Sequence, residues 1–280
     1  NDTRKTYLYT SEKIDGPWKK QLIEGFYHDG SLLFDEDGRN YIVYGNDEIW
    51  ITELNEDLTA PKKDGLHRLL VSDHKNPELG YEGSHIQKIN GYYYIFLIHS
   101  LRDRWMRTEA CFYSDSLEGE FTGGDVLCDD RGYCGQGVAQ GGIVDTPDGK
   151  WYAMLFQDSG AVGRIPILLP VTWKDHFPVF GQNGHVPEEI EVHSTRPGYI
   201  YQPLVGSDDF CNGLLPRWQF NHDPDPRYYH LDALQGTYTI TTREVCTELT
   251  QAVNTLTQRM SYPSCAAEVT VDASALKEGD

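Results

Sequence analysis

Residues 28–45 read HDGSLLFDEDGRNYIVYG: an apolar run, an acidic turn and a second apolar run. Asp-Gly between two such runs signals a β-hairpin, because glycine supplies the positive φ that a tight turn needs. Turn chemistry accounts for Asp35, Glu36 and Asp37 around Gly38. It does not account for Asp29, a charge placed directly ahead of a strand.

The same pattern recurs in SHIQKINGYYYIFLI (84–98) and GGIVDTPDGKWYAMLF (141–156). The three turn glycines, Gly38, Gly91 and Gly149, are spaced by 53 and 58 residues, near the length of one blade of a β-propeller. An outer-strand pattern repeats as YLYTSEKIDGPW, IWITELNEDLTAP and CFYSDSLEGEF, and no long amphipathic helix interrupts the series. Counting nine residues back from each turn glycine reaches Asp29, Glu82 and Gln140. Innermost strands of a propeller begin near the central axis, so these three side chains should converge at one end of the channel. Connections between second and third strands return to that end, which puts residues 45–48, 99–108 and 157–164 around its mouth, Trp105 and Arg164 among them.

The chain has 280 residues, with 43 acidic and 24 basic side chains and a net charge of −19. That charge argues against a nucleic-acid partner and an anionic membrane surface, and favours a neutral or cationic ligand. No apolar stretch approaches the length of a membrane-spanning helix, so a soluble protein is expected. Aromatic residues make up 12% of the chain, enough both to build strands and to give a sugar or peptide site flat surfaces with polar edges. The six cysteines show no C-x-x-C pair and no histidine at zinc-like spacing, so they are expected to be mostly free, buried thiols, with no metal site. His28, His85 and His99 read as satisfied strand histidines, the first two near the mouth.

Two carboxylates in different environments can cleave a glycosidic bond, one protonating the leaving oxygen and one activating water. The plainer alternative is that Asp29 and Glu82 accept backbone N–H groups at strand starts. Glycine follows each of them, which permits close approach and favours a functional role.

At these residues the chain resembles glycoside hydrolase family 43, five-bladed propellers that include β-xylosidases and α-L-arabinofuranosidases. HDGSLLFDEDGRNYIVYG resembles the segment carrying the aspartate that tunes the acid's pKa, which implies that role for Asp29. YEGSHIQKINGYYYIFLIHS resembles the general-acid segment and points to Glu82; GAVGRIPILLPVTW resembles the stretch whose arginine contacts sugar and points to Arg164. Residues from SDDFCNGLLPRWQF to NTLTQRM are similar to the β-sandwich that follows the propeller in β-xylosidase-like members. The resemblance therefore implies an all-β chain: a partial propeller over 1–184, a linker over 185–206 containing Pro187, Pro197 and Pro203, and part of a concanavalin-like β-sandwich over 207–280.

The implied reaction is inverting hydrolysis at the non-reducing end of a xylo- or arabino-oligosaccharide, with Gln140, His28 and Trp105 joining Arg164 as substrate contacts. The family's general base is an aspartate far upstream of the pKa-tuning one, and only 28 residues precede Asp29 here. Asp2 and Asp15 lie on or beside an outer-strand pattern, not at an inner-strand start. The expectation is a fragment inactive alone, completed by a missing N-terminal segment or companion chain. Family members often have histidine where this chain has Gln140, and in some it supports a hydrated calcium ion. With glutamine there, no cofactor is expected to be required. A non-catalytic carbohydrate-binding or protein-interaction propeller is the competing expectation.

Overall fold

The computed structural model describes residues 4–192, 194, 196–221, 223–242, 244–260 and 264–277. The chain divides into two compact units, Asn1–Val192 and His193–Asp280. The first is a series of antiparallel sheets in chain order. Strands β1 (Thr6–Thr10) and β2 (Lys19–Ile23) form a two-stranded sheet. Three four-stranded sheets follow: β3 (Ser31–Phe34), β4 (Asn40–Asn46), β5 (Glu48–Leu54) and β6 (His67–Ser72); then β7 (Glu82–Ile89), β8 (Tyr92–Ser100), β9 (Arg107–Ser114) and β10 (Thr122–Leu127); then β11 (Ala139–Asp145), β12 (Trp151–Asp158), β13 (Arg164–Lys174) and β14 (Phe177–Phe180). Each pairs its strands in sequence order, the up-and-down arrangement of a propeller blade. The hairpin glycines take the expected conformation, with φ of 82° at Gly38, 84° at Gly91 and 78° at Gly149. Among the described residues, no helix is long and apolar enough to cross a membrane.

The cores lie between blades. Residues 93–100 of β8 are all buried, and successive side chains point to opposite faces. Tyr93, Ile95 and Leu97 enter a cluster with Leu33, Tyr41, Val43, Ile49 and Ile51 of the preceding blade. Tyr94 and Phe96 enter another with Ile143, Ala153, Leu155, Leu169 and Phe180 of the following blade. A strand covered on both faces reads as a continuous apolar run, which is why YYYIFLI lacks the alternation of a half-exposed strand. Each fully buried large apolar side chain contributes about 1.5–3 kcal/mol relative to exposure. A polar latch crosses the first of these interfaces: Asp35, buried, accepts hydrogen bonds from Tyr93 Oη and from Lys88 Nζ at 2.7 Å. Burial pushes the Asp35 pKa up, but the bonds from Lys88, Tyr93 and the Glu36 N–H bring it below the ordinary value.

The second unit contains two short ladders, β15 (Gln219–Phe220) with β18 (Leu256–Thr257) and β16 (Tyr229–Asp232) with β17 (Thr237–Ile240). Phe210, Trp218, Tyr229 and Tyr238 form a chain of ring contacts around them, and Asp208 accepts the Trp218 indole N–H at 2.8 Å.

The cysteines are free, as expected, but most are not buried. Cys111 alone is buried; Cys246 is intermediate and Cys128, Cys134, Cys211 and Cys265 are exposed. Cys111 sits on β9 against the following blade, whereas Cys128 and Cys134 lie in the loop after β10, exposed although Gln157 of β12 donates to the Asp130 and Gln136 carbonyls of that loop. Of the general-base candidates ruled out from sequence, Asp15 lies in the turn between β1 and β2, and Asp2 falls outside the described residues.

Replacing Phe96 by alanine should cost about 3–5 kcal/mol of unfolding free energy in denaturant titration, whereas Met154→Ala, on the half-exposed face of β12, should stay within about 0.5 kcal/mol of wild type. Asp35 has a folded-state pKa below its unfolded one, so its contribution to stability is complete above the ordinary value of 3.8 and is lost as pH falls through the folded value. Asp35→Asn should therefore flatten the acid limb of stability against pH while lowering stability at neutrality.

Candidate active site

Three positions equivalent in the blades carry the polar residues, and backbone irregularity aims each of them. Asp29 precedes β3 with φ of 46°, outside the range an L-residue ordinarily prefers. The ladder between β7 and β8 shifts register between Glu82 and His85, and that between β11 and β12 between Ala139 and Gly142. Such bulges turn side chains away from the regular in-out alternation of a strand. Here the displaced residues are Glu82, followed by Gly83 with φ of 65°, and Gln140, with φ of 61°.

The result is a cluster. His28 Nε2 lies 3.7 Å from Asp29 Oδ2 and 3.5 Å from Glu82 Oε2, and one donor atom from each of the three residues falls within 4.8 Å of the other two. Asn46, at the end of β4, donates from Nδ2 to Glu82 Oε2 at 2.7 Å. Neither carboxylate accepts a backbone N–H from the described residues, so the plainer reading of Asp29 and Glu82 as strand-end acceptors does not hold. His28 faces both carboxylates, unlike His99, which is satisfied between Asp73 and Asp125.

The carboxylates are held in register by a hydroxyl. Ser84, buried and two residues after Glu82, places its Oγ 2.7 Å from the Asp29 carbonyl and 2.8 Å from the Val43 carbonyl. One side chain of β7 thus fixes the backbone that carries Asp29. On the other flank, the Gln140 side chain lies directly over Gly83: a Cβ on that glycine would sit 2.7 Å from Gln140 Cγ. The Gln140 N–H donates to Glu109 Oε2 at 2.7 Å. Glu109 is fully buried, and burial raises its pKa well above the ordinary value against the lowering effect of that bond. Its Oε1 has no hydrogen-bond partner among the described residues. A neutral carboxyl is the form such surroundings favour.

Arg164 opens β13, with most of its side chain in solvent, and its guanidinium sits 4.4 Å from the centre of the Phe156 ring. Arg107 lies on the same ring at 5.0 Å, and both arginines pair with Asp158. Burial lowers the Arg107 pKa, while the charges of Asp158 and Glu82 oppose that shift. Trp105, 41% exposed, rests against Gly135 in the loop that also presents Tyr133, exposed to the same extent. Asp130 shapes this loop by accepting the Gly132 and Gly135 N–H groups.

Of the residues expected from sequence, His28, Asp29 and Glu82 meet directly and Gln140 adjoins Glu82 through Gly83, whereas Arg164, at the start of β13, groups with Asp158 and Phe156, and Trp105, before β9, with Gly135. Sequence reasoning missed Asn46, Ser84, Arg107, Glu109 and Tyr133. Asn46 and Arg107 lie within the loops assigned to the mouth and could have been singled out there. No local signal marks Ser84 or Glu109, whose partners are 55 and 31 residues away.

Residues 1–178 match the family model described as Glycosyl hydrolases family 43, and residues 207–280 match that of the Beta xylosidase C-terminal Concanavalin A-like domain. A beta-xylosidase of Formosa agariphila is 27% identical over 267 residues, covering 81% of this chain and 44% of that protein. Xylosidase/arabinosidase 43B of Humicola insolens is 26% identical over 294 residues, covering 96% of this chain and 53% of that protein. The chain thus spans about half the length of the curated relatives it matches. Among solved structures, a bifunctional GH43-CE protein of Bacteroides eggerthii superposes with a TM-score of 0.79 at 42% identity, over 94% of this chain and 34% of that one.

Ser84→Ala should remove the staple between the two inner strands and leave two carbonyls without their donor, costing about 1–3 kcal/mol in denaturant unfolding. A change below about 0.5 kcal/mol would mean that Ser84 does not hold the carboxylates in register.

Proposed function

Because this chain belongs to glycosyl hydrolases family 43, we propose that the protein containing it releases pentose, xylose or arabinose, from the non-reducing ends of xylo- or arabino-oligosaccharides, with inversion. The observation that carries this reading is the meeting of Asp29 and Glu82, from successive blades, within one cluster open to solvent. Glu82 is the proton donor. Asn46 donates to its Oε2, which leaves Oε1 to hold the proton that passes to the departing glycosidic oxygen. Asp29, the neighbouring carboxylate, helps orient the sugar. Arg164 binds sugar hydroxyls from the rim, and Trp105 with Tyr133 offers flat apolar surface to the rings. Gln140 and His28 line the floor.

The site supplies the proton and not the base. Asp29 and Glu82 are both committed, so the aspartate that activates water must be a third carboxylate outside this cluster. An axial calcium ion fits poorly: calcium takes six or more oxygen ligands, and here the position offers a neutral amide, Gln140, backed by a buried carboxyl, Glu109, whose pKa burial raises. We therefore propose a reaction needing no resident metal. A purely binding propeller would gain nothing from two facing carboxylates, which repel one another when both are ionised.

In the whole enzyme, Glu82→Gln keeps the shape but removes the proton donor, so xylobiose hydrolysis should fall by about 10²- to 10⁴-fold. Nitrophenyl pentosides, whose leaving group needs little protonation, should lose much less, and the alkaline limb of the pH–rate profile should vanish. Asp29→Asn, which leaves the donor in place, should retain that limb. Equal losses on both substrates with the alkaline limb intact would show that Glu82 is not the acid. Rates on nitrophenyl xyloside against nitrophenyl arabinofuranoside would separate the two pentoses.

A further inference from the structure

The spacing of cysteines and histidines along the chain gave no metal motif, but spacing registers only ligands close in sequence. His28 and Asp29 come from the entry to β3 and Glu82 from the start of β7, so their grouping exists only in the folded protein. One imidazole nitrogen stands 3.5 and 3.7 Å from two carboxylate oxygens, along two sides of a triangle, and one donor atom from each of the three residues falls within 4.8 Å of the other two. Zinc binds nitrogen and oxygen at about 2.0–2.2 Å, which puts two donors on one tetrahedral ion about 3.3 Å apart. The two measured sides exceed that spacing by only a few tenths of an ångström. Small side-chain rotations close the gap.

Other features suit an ion. The three side chains remain 41%, 36% and 23% exposed, so a cation and a completing water can reach them. The frame is stiff: Ser84 holds the Asp29 backbone, and Asn46 orients Glu82 by a hydrogen bond to the same oxygen that faces His28, as outer-shell partners of metal ligands do. A mixed imidazole and carboxylate set suits zinc, whereas calcium and magnesium prefer oxygen alone.

We propose that His28 Nε2, Asp29 Oδ2 and Glu82 Oε2 form a site for zinc or a similar divalent transition-metal ion, and that its occupation switches the acid off. Coordination takes up the Glu82 carboxylate as a ligand, so that residue no longer serves as the proton donor while the ion is bound. The ion also fills the space that the sugar would occupy, which makes it a competitor of substrate. The site stands on its own geometry; only the inhibition rests on the hydrolase reading above.

Cobalt(II), a spectroscopic stand-in for zinc, should bind the wild-type chain at one equivalent, giving weak visible bands of nitrogen and oxygen coordination without the strong near-ultraviolet band of a thiolate. Zinc should displace it. In zinc calorimetry His28→Ala and Asp29→Asn should each weaken binding by about tenfold or more, with His74→Ala unchanged and circular dichroism confirming folding. A thiolate band, or affinity unaltered in both ligand variants, overturns the site. In the whole enzyme zinc should inhibit hydrolysis competitively and a chelator should restore it. Hydrolysis without zinc binding defeats this inference alone, whereas zinc binding without any hydrolysis defeats the hydrolase reading and leaves the site standing.

Discussion

From Tyr93 to Ser100, strand β8 is buried on both faces, and the end of the sheets that carries Asp29 and Glu82 is built on that constraint. Its odd and even residues seal the blades on its two sides, so the inner strand β7, hydrogen-bonded along it, cannot shift or tilt without opening two cores at once. Glu82 begins β7 opposite Ile98, which is fully buried. The position of the proposed acid is therefore set by apolar packing in the body of the blade, and the loops around it only dress the rim.

On that rigid base the chain places its irregularities where they are useful. A regular strand would alternate Glu82 and its neighbours between two faces, but the bulge at Gly83 frees the carboxylate from that alternation. The same device recurs at Gln140, and the two bulges interlock because glycine leaves room for the glutamine side chain. Glu109 anchors the Gln140 backbone from below. Ser84 ties the first blade to the second in a similar way. Polar groups in this interior are spent on backbone atoms of the next blade, where one missing bond would displace an entire strand start.

The charges follow a corresponding logic. Carboxylates that carry structure are matched: Asp35 by Lys88 and Tyr93, Asp158 by Arg107 and Arg164, Asp73 by Arg102 and Asn76. Among the described residues, Asp29 and Glu82 make no salt bridge to a lysine or arginine: His28 and Asn46 are their direct neighbours, and the Arg107 guanidinium acts on Glu82 only through its field. Leaving two carboxylates without a directly paired cation is unfavourable for folding and suits the proposed roles of proton donor and ion ligand.

The sequence by itself determined the blades and the end at which they converge. Turn glycines, apolar runs and their common offset are local or periodic properties, and Asp29, Glu82 and Gln140 were legible because each repeats one position of a repeating unit. Tertiary structure alone decided the rest. Ser84, Asn46 and Glu109 act on residues tens of positions away, and no periodicity encodes which hydroxyl will meet which carbonyl once two blades pack. Exposure of the cysteines was likewise decided by the fold: Cys111 lies on a strand packed between blades, and Cys128 and Cys134 in a connecting loop. His28 shows the division most simply: its sequence places it near the mouth, but only the approach of a second blade puts its ring between two carboxylates, because that distance is set by the packing of β7 against β3 and not by the chain between them.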